Sequence, residues 1–209
     1  MKLLAISSPE FIPDEAALIN SLFREGLVCL HIRKPKSNED VFANLLSQIE
    51  PEFLGRISIH QHHQLAEGFG LNRLHFPELE RKNTSEEQLK ILIKKGLILS
   101  TSIHNLEEMD SLSCYFSYTF FGPAFNSISK SGYKSVLPTD FHIKSEIKKI
   151  PVIGLGGIST KNLEKVREMN FDGAAVLGTL WNEPDNVINK FRELRDVLDF
   201  INQHHNHDH

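Results

Sequence analysis

Two glycine-rich turns late in the chain carry the clearest chemical signal: Gly154-Leu155-Gly156-Gly157-Ile158, followed by Ser159-Thr160, and Val176-Leu177-Gly178-Thr179. Glycine lets the backbone approach an anion closely, and unpaired N–H groups at the start of a helix carry partial positive charge. Gly156, Gly157, Gly178 and Thr179 are therefore expected to form a cup for a phosphate group. A third stretch, Gly122-Pro123-Ala124-Phe125-Asn126-Ser127-Ile128-Ser129-Lys130, adds two hydroxyl donors, Ser127 and Ser129, and a mobile cation, Lys130, suited to a second phosphate. The polar, turn-rich segment 131–139 behind it reads as a lid.

Histidines are the other conspicuous chemistry. His31, His60 and His104 each stand where a strand-like run ends, so each can serve as a base or as a hydrogen-bonding group. His60, His62, His63 and His75 come from neighbouring turns and would suit Zn2+ if two or three of them converged. His62 and His63 are adjacent at the expected start of a helix and point in different directions, so no shared transition-metal site is expected from this group. The tail His204-His205-Asn206-His207-Asp208-His209 reads as a frayed, disordered terminus.

These residues must be positioned by something regular. Apolar runs predict eight strands, over 3–6, 27–32, 57–59, 73–76, 97–101, 115–121, 152–155 and 174–177. Most run on without polar alternation, as strands covered on both faces do. Amphipathic patterns lie between them, clearest in Val187, Ile188, Phe191, Leu194, Leu198 and Ile201. Ser37-x-x-Asp40 and Thr84-x-x-Glu87 read as capping boxes, while Gly26 and Gly96 fall where helices should stop. Strict alternation forces parallel strands, and eight of them without a midpoint linker favour a closed (β/α)8 TIM barrel over an open sheet. Ser7-Ser8-Pro9 after the first strand also argues against a dinucleotide-binding turn. One barrel is expected over 1–203, with 204–209 outside it. In such a barrel the chemistry sits at the C-terminal ends of the strands, and the last two strands commonly bind phosphate.

Composition narrows the partners. A net charge of −4 across 209 residues argues against a nucleic-acid surface, and no apolar run approaches a membrane span. Cys29 and Cys114 lie in strand-like stretches and read as buried free thiols, in keeping with a cytoplasmic protein. Small phosphorylated substrates are the expected partners, and a homo-oligomer is open.

Taken in order, the motifs resemble the thiamine phosphate synthase family and its thiazole tautomerase branch. The family's Gly-Pro-x-Phe-x-Thr-x-Thr-Lys segment is matched from Gly122 to Lys130, with serine for both threonines. Its Pro-Val-x-x-x-Gly-Gly-Ile segment is matched from Pro151 to Ile158, and its Ser-x-His-x-x-Glu-Glu pattern at Ser102, His104, Glu107 and Glu108. The family's Gln-x-Arg-x-Lys appears as His31-Ile32-Arg33-Lys34-Pro35. The resemblance implies thiamine biosynthesis: a transferase that joins hydroxymethylpyrimidine diphosphate to thiazole phosphate and releases pyrophosphate. It would place Arg33, Ser102 and Lys130 on the pyrophosphate, with Ser127, Ser129, Gly157 and Gly178 on the thiazole phosphate. His31 would replace the family's glutamine beside the pyrimidine, and His60 and His104 would line the substrate site.

The chain departs from that pattern where the family binds Mg2+. His60-Gln61 stands for Asn-Asp after the third strand, and the second magnesium aspartate falls near Leu79 or Glu80. The implied Mg2+ site, at Gln61 and Glu80, is weakened, because a neutral amide cannot offset the ion's charge. Pro35 replaces the family's lysine, with Lys34 as a neighbouring substitute. The tautomerase branch, an isomerase, shares His-Ile-Arg but places its catalytic histidine where Pro123 stands. Synthesis is the first reading; the tautomerase and a non-catalytic thiazole-phosphate binder are the alternatives.

Overall fold

The computed structural model describes residues 1–125, 137–138 and 140–204. Eight parallel strands close on themselves in sequence order: β1 Lys2–Ile6, β2 Leu30–Ile32, β3 Ile57–Ile59, β4 Arg73–Phe76, β5 Ile98–Ile103, β6 Phe116–Phe121, β7 Val152–Leu155 and β8 Gly173–Val176. Closure runs through β1 and β8, with Lys2 opposite Gly173 and Ala5 opposite Val176. The second strand is shorter than its apolar run predicts: 27–29 lead into it, and Val28 is exposed.

The helices are α1 Glu15–Arg24, α2 Glu39–Ser47, α3 Leu65–Phe69, α4 Glu78–Asn83, α5 Glu86–Lys94, α6 Leu163–Glu168, α7 Gly178–Trp181 and α8 Val187–His204. The periodic residues of α8 bury Val187, Phe191, Leu194, Leu198 and Ile201 against the barrel, as their spacing requires. Two expected caps move by one residue. Asn38, not Ser37, accepts from the Val41 amide at 2.9 Å, and the second capping box is Ser85 with Gln88 rather than Thr84 with Glu87. In each case the chain leaves the extended region one residue later than the pattern suggested, so the next polar side chain meets the free amides. Gly26 and Gly96 end α1 and α5 at φ 101° and 83°, the left-handed conformation for which glycine is suited.

Each strand divides its side chains by parity. One set packs outward under the helices: Leu30 and Ile32, Ile57 and Ile59, Leu74 and Phe76, Leu99 and Ile103 all belong to the main apolar core. The other set fills the barrel, and there the two halves differ. Leu4, Ile6, Cys29, Phe120, Ile153 and Ala175 form an apolar cluster. His31, Ser58, His60, His75 and Ser100, from β2 to β5 and the end of β3, are buried polar groups facing the same interior. Cys29 is buried as expected, but Cys114 is exposed, because it lies in the turn before β6 rather than in the strand. No described helix is long and apolar enough to cross a membrane. His204 is the last residue of α8, and 205–209 lie outside the described residues.

Candidate active site and family membership

The cup expected at the last two strands has the required backbone. After β7 the chain turns through Gly156 and Gly157 at φ 100° and 65°, both left-handed. A Cβ on Gly156 would lie 3.0 Å from Pro123 Cα, so the turn also needs glycine for space. The turn after β6 is fastened to it: Ala124 N donates to Leu155 O at 2.8 Å and Phe125 N to Gly156 O at 3.1 Å. At Gly122 a Cβ would come within 2.0 Å of Leu155 O, which no side chain can accommodate.

Asn162, which the sequence reading did not single out, locks the turn. Its Nδ2 donates to Gly157 O at 2.9 Å, and its Oδ1 accepts from Ser159 N at 2.8 Å. An asparagine three residues past a serine was the available signal. The helix α6 then starts at Leu163, later than Ser159-Thr160 suggested. Thr179 Oγ1 donates to Ile158 O at 2.5 Å and ties the second turn to the first. The amides of Gly157, Gly178 and Thr179 have no hydrogen-bond partner among the described residues. They line a cavity of about 780 Å³ that also touches Ser159, Lys161 and Lys190. Ser127, Ser129, Lys130 and the residues 131–136 and 139 of the expected lid lie outside the described residues.

The opposite side of the mouth is crowded. Ser7 Oγ accepts from Arg33 N at 3.0 Å and donates to Arg33 O at 3.3 Å. Gln61 grips the next residue: its Oε1 accepts from Lys34 N at 3.2 Å while its Nε2 donates to Lys34 O. The backbone at Arg33-Lys34 is thus clamped from β1 and from β3, leaving the Arg33 side chain exposed at the mouth. Lys34 does not stand in for the family's lysine. It is fully buried, with Nζ bonded to Glu15 Oε1 at 2.6 Å, Glu15 Oε2 at 2.8 Å, Ser8 O at 2.7 Å and Glu10 O at 2.9 Å. Burial is the largest influence on both partners, lowering the lysine's pKa and raising the glutamate's.

The histidines sort into three kinds. His31, His60 and His75 meet inside the barrel, with His31 Nδ1 3.0 Å from His60 Nε2 and His31 Nε2 2.7 Å from the Tyr118 hydroxyl. His60 and His75 stack with ring centroids 4.0 Å apart. His75 reaches Ser100 Oγ at 2.9 Å through Nδ1 and Ser102 Oγ at 3.0 Å through Nε2. Desolvation holds all three neutral: His31 is pushed down to about 3, and His60 and His75 well below the usual range, with Arg33 adding to the effect on both. His31 is therefore beneath the mouth, buried among other side chains.

His63 is structural. Its Nε2 lies 3.1 Å from Ile59 O and 3.0 Å from His75 O, joining the ends of β3 and β4. His62 sits in the left-handed region at φ 56°, ahead of α3 rather than in it, and faces Ser37. His104 is exposed on the rim, 3.6 Å from Glu78 Oε2, and does not join the cluster.

The residues at the family's magnesium positions do not fit that ion. Both amide atoms of Gln61 are spent on the Lys34 backbone, and Glu80 faces His63 Nδ1 at 3.3 Å. Leu79 is an exposed apolar side chain. A hard cation needs free, charged oxygens, which this arrangement does not offer.

A thiamine monophosphate synthase family profile matches residues 3–180. The solved thiamine phosphate pyrophosphorylase from Bacteroides thetaiotaomicron superposes with a TM-score of 0.72 at 30% identity, covering 95% of this chain and 98% of that one. A Pyrococcus furiosus thiamine phosphate pyrophosphorylase superposes at 0.69 with 20% identity, covering 96% of each chain and sharing the fold. Among curated relatives, the thiamine-phosphate synthase of Anoxybacillus flavithermus is 33% identical over 85 residues. That match spans 39% of this chain and 39% of the relative's length. With the profile matching most of the barrel, the chain belongs to the thiamine monophosphate synthase family.

Proposed function

We propose that this protein couples hydroxymethylpyrimidine diphosphate to thiazole phosphate and releases pyrophosphate. The observation that carries this reading is the glycine-built cup at β7 and β8, with the amides of Gly157, Gly178 and Thr179 left unpaired among the described residues. Those amides suit the thiazole phosphate, a dianion that needs N–H donors without a competing side chain. The reaction breaks the carbon–oxygen bond to the diphosphate, and the electron pair leaves with pyrophosphate. The thiazole nitrogen then gives its lone pair to the pyrimidine-stabilised cation, so the protein's task is to position two anions and stabilise the departing one.

Arg33, with its backbone clamped and its side chain at the mouth, is assigned to the pyrophosphate, together with Lys130. Ser102 supports the same role. With His75 neutral and donating from Nε2 to Ser102 Oγ at 3.0 Å, the serine hydrogen is left to donate to the leaving group. His75 is then a positioning residue. Ser127 and Ser129 are assigned to the thiazole phosphate by their place in the motif. Because Gln61 and Glu80 do not present a magnesium site, no step is assigned to the ion.

The test is one assay that offers the purified protein the coupling substrates and, separately, a thiazole carboxylate phosphate. Coupling that slows roughly 10²–10³-fold in Lys130→Ala supports the synthase reading, since one donor to a developing charge is worth about 3–4 kcal/mol. Proton shuffling on the thiazole without coupling would replace it with the isomerase alternative, and tight thiazole-phosphate binding without turnover would replace it with a binder.

A further inference from the structure

Three imidazoles meet inside the barrel, and only one of them, His75, enters this mechanism, through its Nε2 bond to Ser102. We propose that His31, His60 and His75 bind one transition-metal ion of the zinc class, which ties β2, β3 and β4 together from within. His31 comes from β2, His75 from β4 and His60 from the residue that follows β3, and one nitrogen from each lies within 4.8 Å of the other two. His31 Nδ1 and His60 Nε2 are 3.0 Å apart. Zinc–nitrogen bonds of about 2.0–2.1 Å in a tetrahedron set nitrogens roughly 3.3 Å apart, so the spacing of that pair already suits the ion and the two rings have only to turn their lone pairs toward it. The proton that one of these two nitrogens carries in the metal-free protein moves to that ring's other nitrogen or is released to solvent, which frees both lone pairs for the ion.

The surroundings suit an ion with neutral ligands. All three rings are buried and uncharged, which is the ligating form of imidazole. His31 has its other nitrogen held by Tyr118 at 2.7 Å, the outer support that fixes a ligating ring's tautomer. The cluster holds no carboxylate, which selects zinc, cobalt or copper over magnesium. A second observation points to an occupant: Ser58 Oγ is fully buried and without a hydrogen-bond partner. Ser58 stands opposite His31 in register and two residues before His60, so it faces the same interior. His60 is the ligand nearest the mouth, at 7% exposure against 0% for His31 and 1% for His75, and marks the route of entry. This inference does not depend on the coupling reaction.

The experiment is a titration of the full-length, chelator-treated protein with Co2+, read by its visible ligand-field absorption, followed by displacement with Zn2+. One companion variant carries alanine at His205, His207 and His209, because the tail is a competing imidazole source. The expected result is a tetrahedral band saturating at about one equivalent, kept in the tail variant and in His62→Ala, and lost in His31→Phe and in His75→Phe. Zn2+ at a hundredfold excess over its Kd should also raise the Tm of the tail variant by roughly 5–10 °C, with no shift from Mg2+. That thermal measurement decides the matter if the phenylalanine variants do not fold. A band that disappears with the tail histidines, or no band and no zinc-dependent shift, would overturn the site and leave a hydrogen-bonded histidine core only.

Discussion

The two sides of the barrel mouth are built in opposite ways. At β7 and β8 the backbone itself makes the candidate site: glycines in left-handed turns, amides without partners among the described residues, and one asparagine holding the shape. At β2 to β4 side chains fill the space and satisfy one another, from the Lys34–Glu15 pair through Gln61 to the three imidazoles. The first arrangement tolerates little change in shape, and in the proposed reading it selects a ligand by the geometry of its phosphate alone. The second depends on every member keeping its protonation state and partner, so it concentrates the protein's sensitivity to pH and to single substitutions.

The largest expected effect follows from that dependence. His31, His60 and His75 are neutral when folded and take up protons when unfolded below about pH 6.5, so the unfolded state binds more protons and stability falls as pH falls. The window runs from about pH 6.5 down to the folded value, which for His31 is about 3. Each histidine that stays neutral costs up to about 1.4 kcal/mol per pH unit as the metal-free protein is acidified below pH 6.5, and the three act in the same direction. Urea unfolding across pH checks this, and His31→Phe should flatten the slope. An unchanged slope would mean the interior histidines do not set it.

Next in size is the buried ion pair. Lys34→Met leaves the Glu15 carboxylate buried without its partner and should destabilise by about 3–5 kcal/mol. Glu15→Leu combined with Lys34→Met should recover most of that loss, because burial already opposes the charge on both groups. Thermal melts of the two variants sharpen the contrast, since no ion pair at the β7 and β8 turns is as deeply buried among the described residues.

On the glycine side the expected effect is on binding. Gly157→Val forces a branched side chain onto a backbone at φ 65° and should weaken inorganic phosphate or thiazole phosphate by roughly 10–100-fold. That is the loss of one or two hydrogen bonds to a charged group at about 1.5 kcal/mol each. Calorimetry reads it, and unchanged affinity would remove these amides from the site. The smallest effect is at Gln61. Gln61→Asp gives up the donor to Lys34 O, costing about 1–2 kcal/mol of stability, but frees a carboxylate at the family's magnesium position. A magnesium titration at saturating substrates should show the coupling rate rising in the variant. Brisk wild-type turnover at low magnesium, with no gain in Gln61→Asp, would show that another group holds the ion.

Residue order alone determined the eight-stranded barrel and the glycine cup. Both follow from local rules, the alternation of apolar runs with amphipathic stretches and the left-handed turns that favour glycine, so they are written in neighbouring residues. The bounds of the strands Ile57–Ile59, Arg73–Phe76 and Val152–Leu155 were legible for the same reason. The fate of the polar side chains was not. Lys34 and Arg33 are adjacent in the chain, yet one is buried against Glu15 and the other faces the mouth, because the pleat sends neighbours to opposite sides. Gln61 reads as a lost metal ligand in sequence and proves to be a clamp on a backbone 27 residues away. His31, His60 and His75 met only because closure of the barrel points one residue from each of three strands at a common axis. That convergence depends on register and shear, long-range quantities no local pattern records, and so the tertiary structure alone decided which histidines share a site.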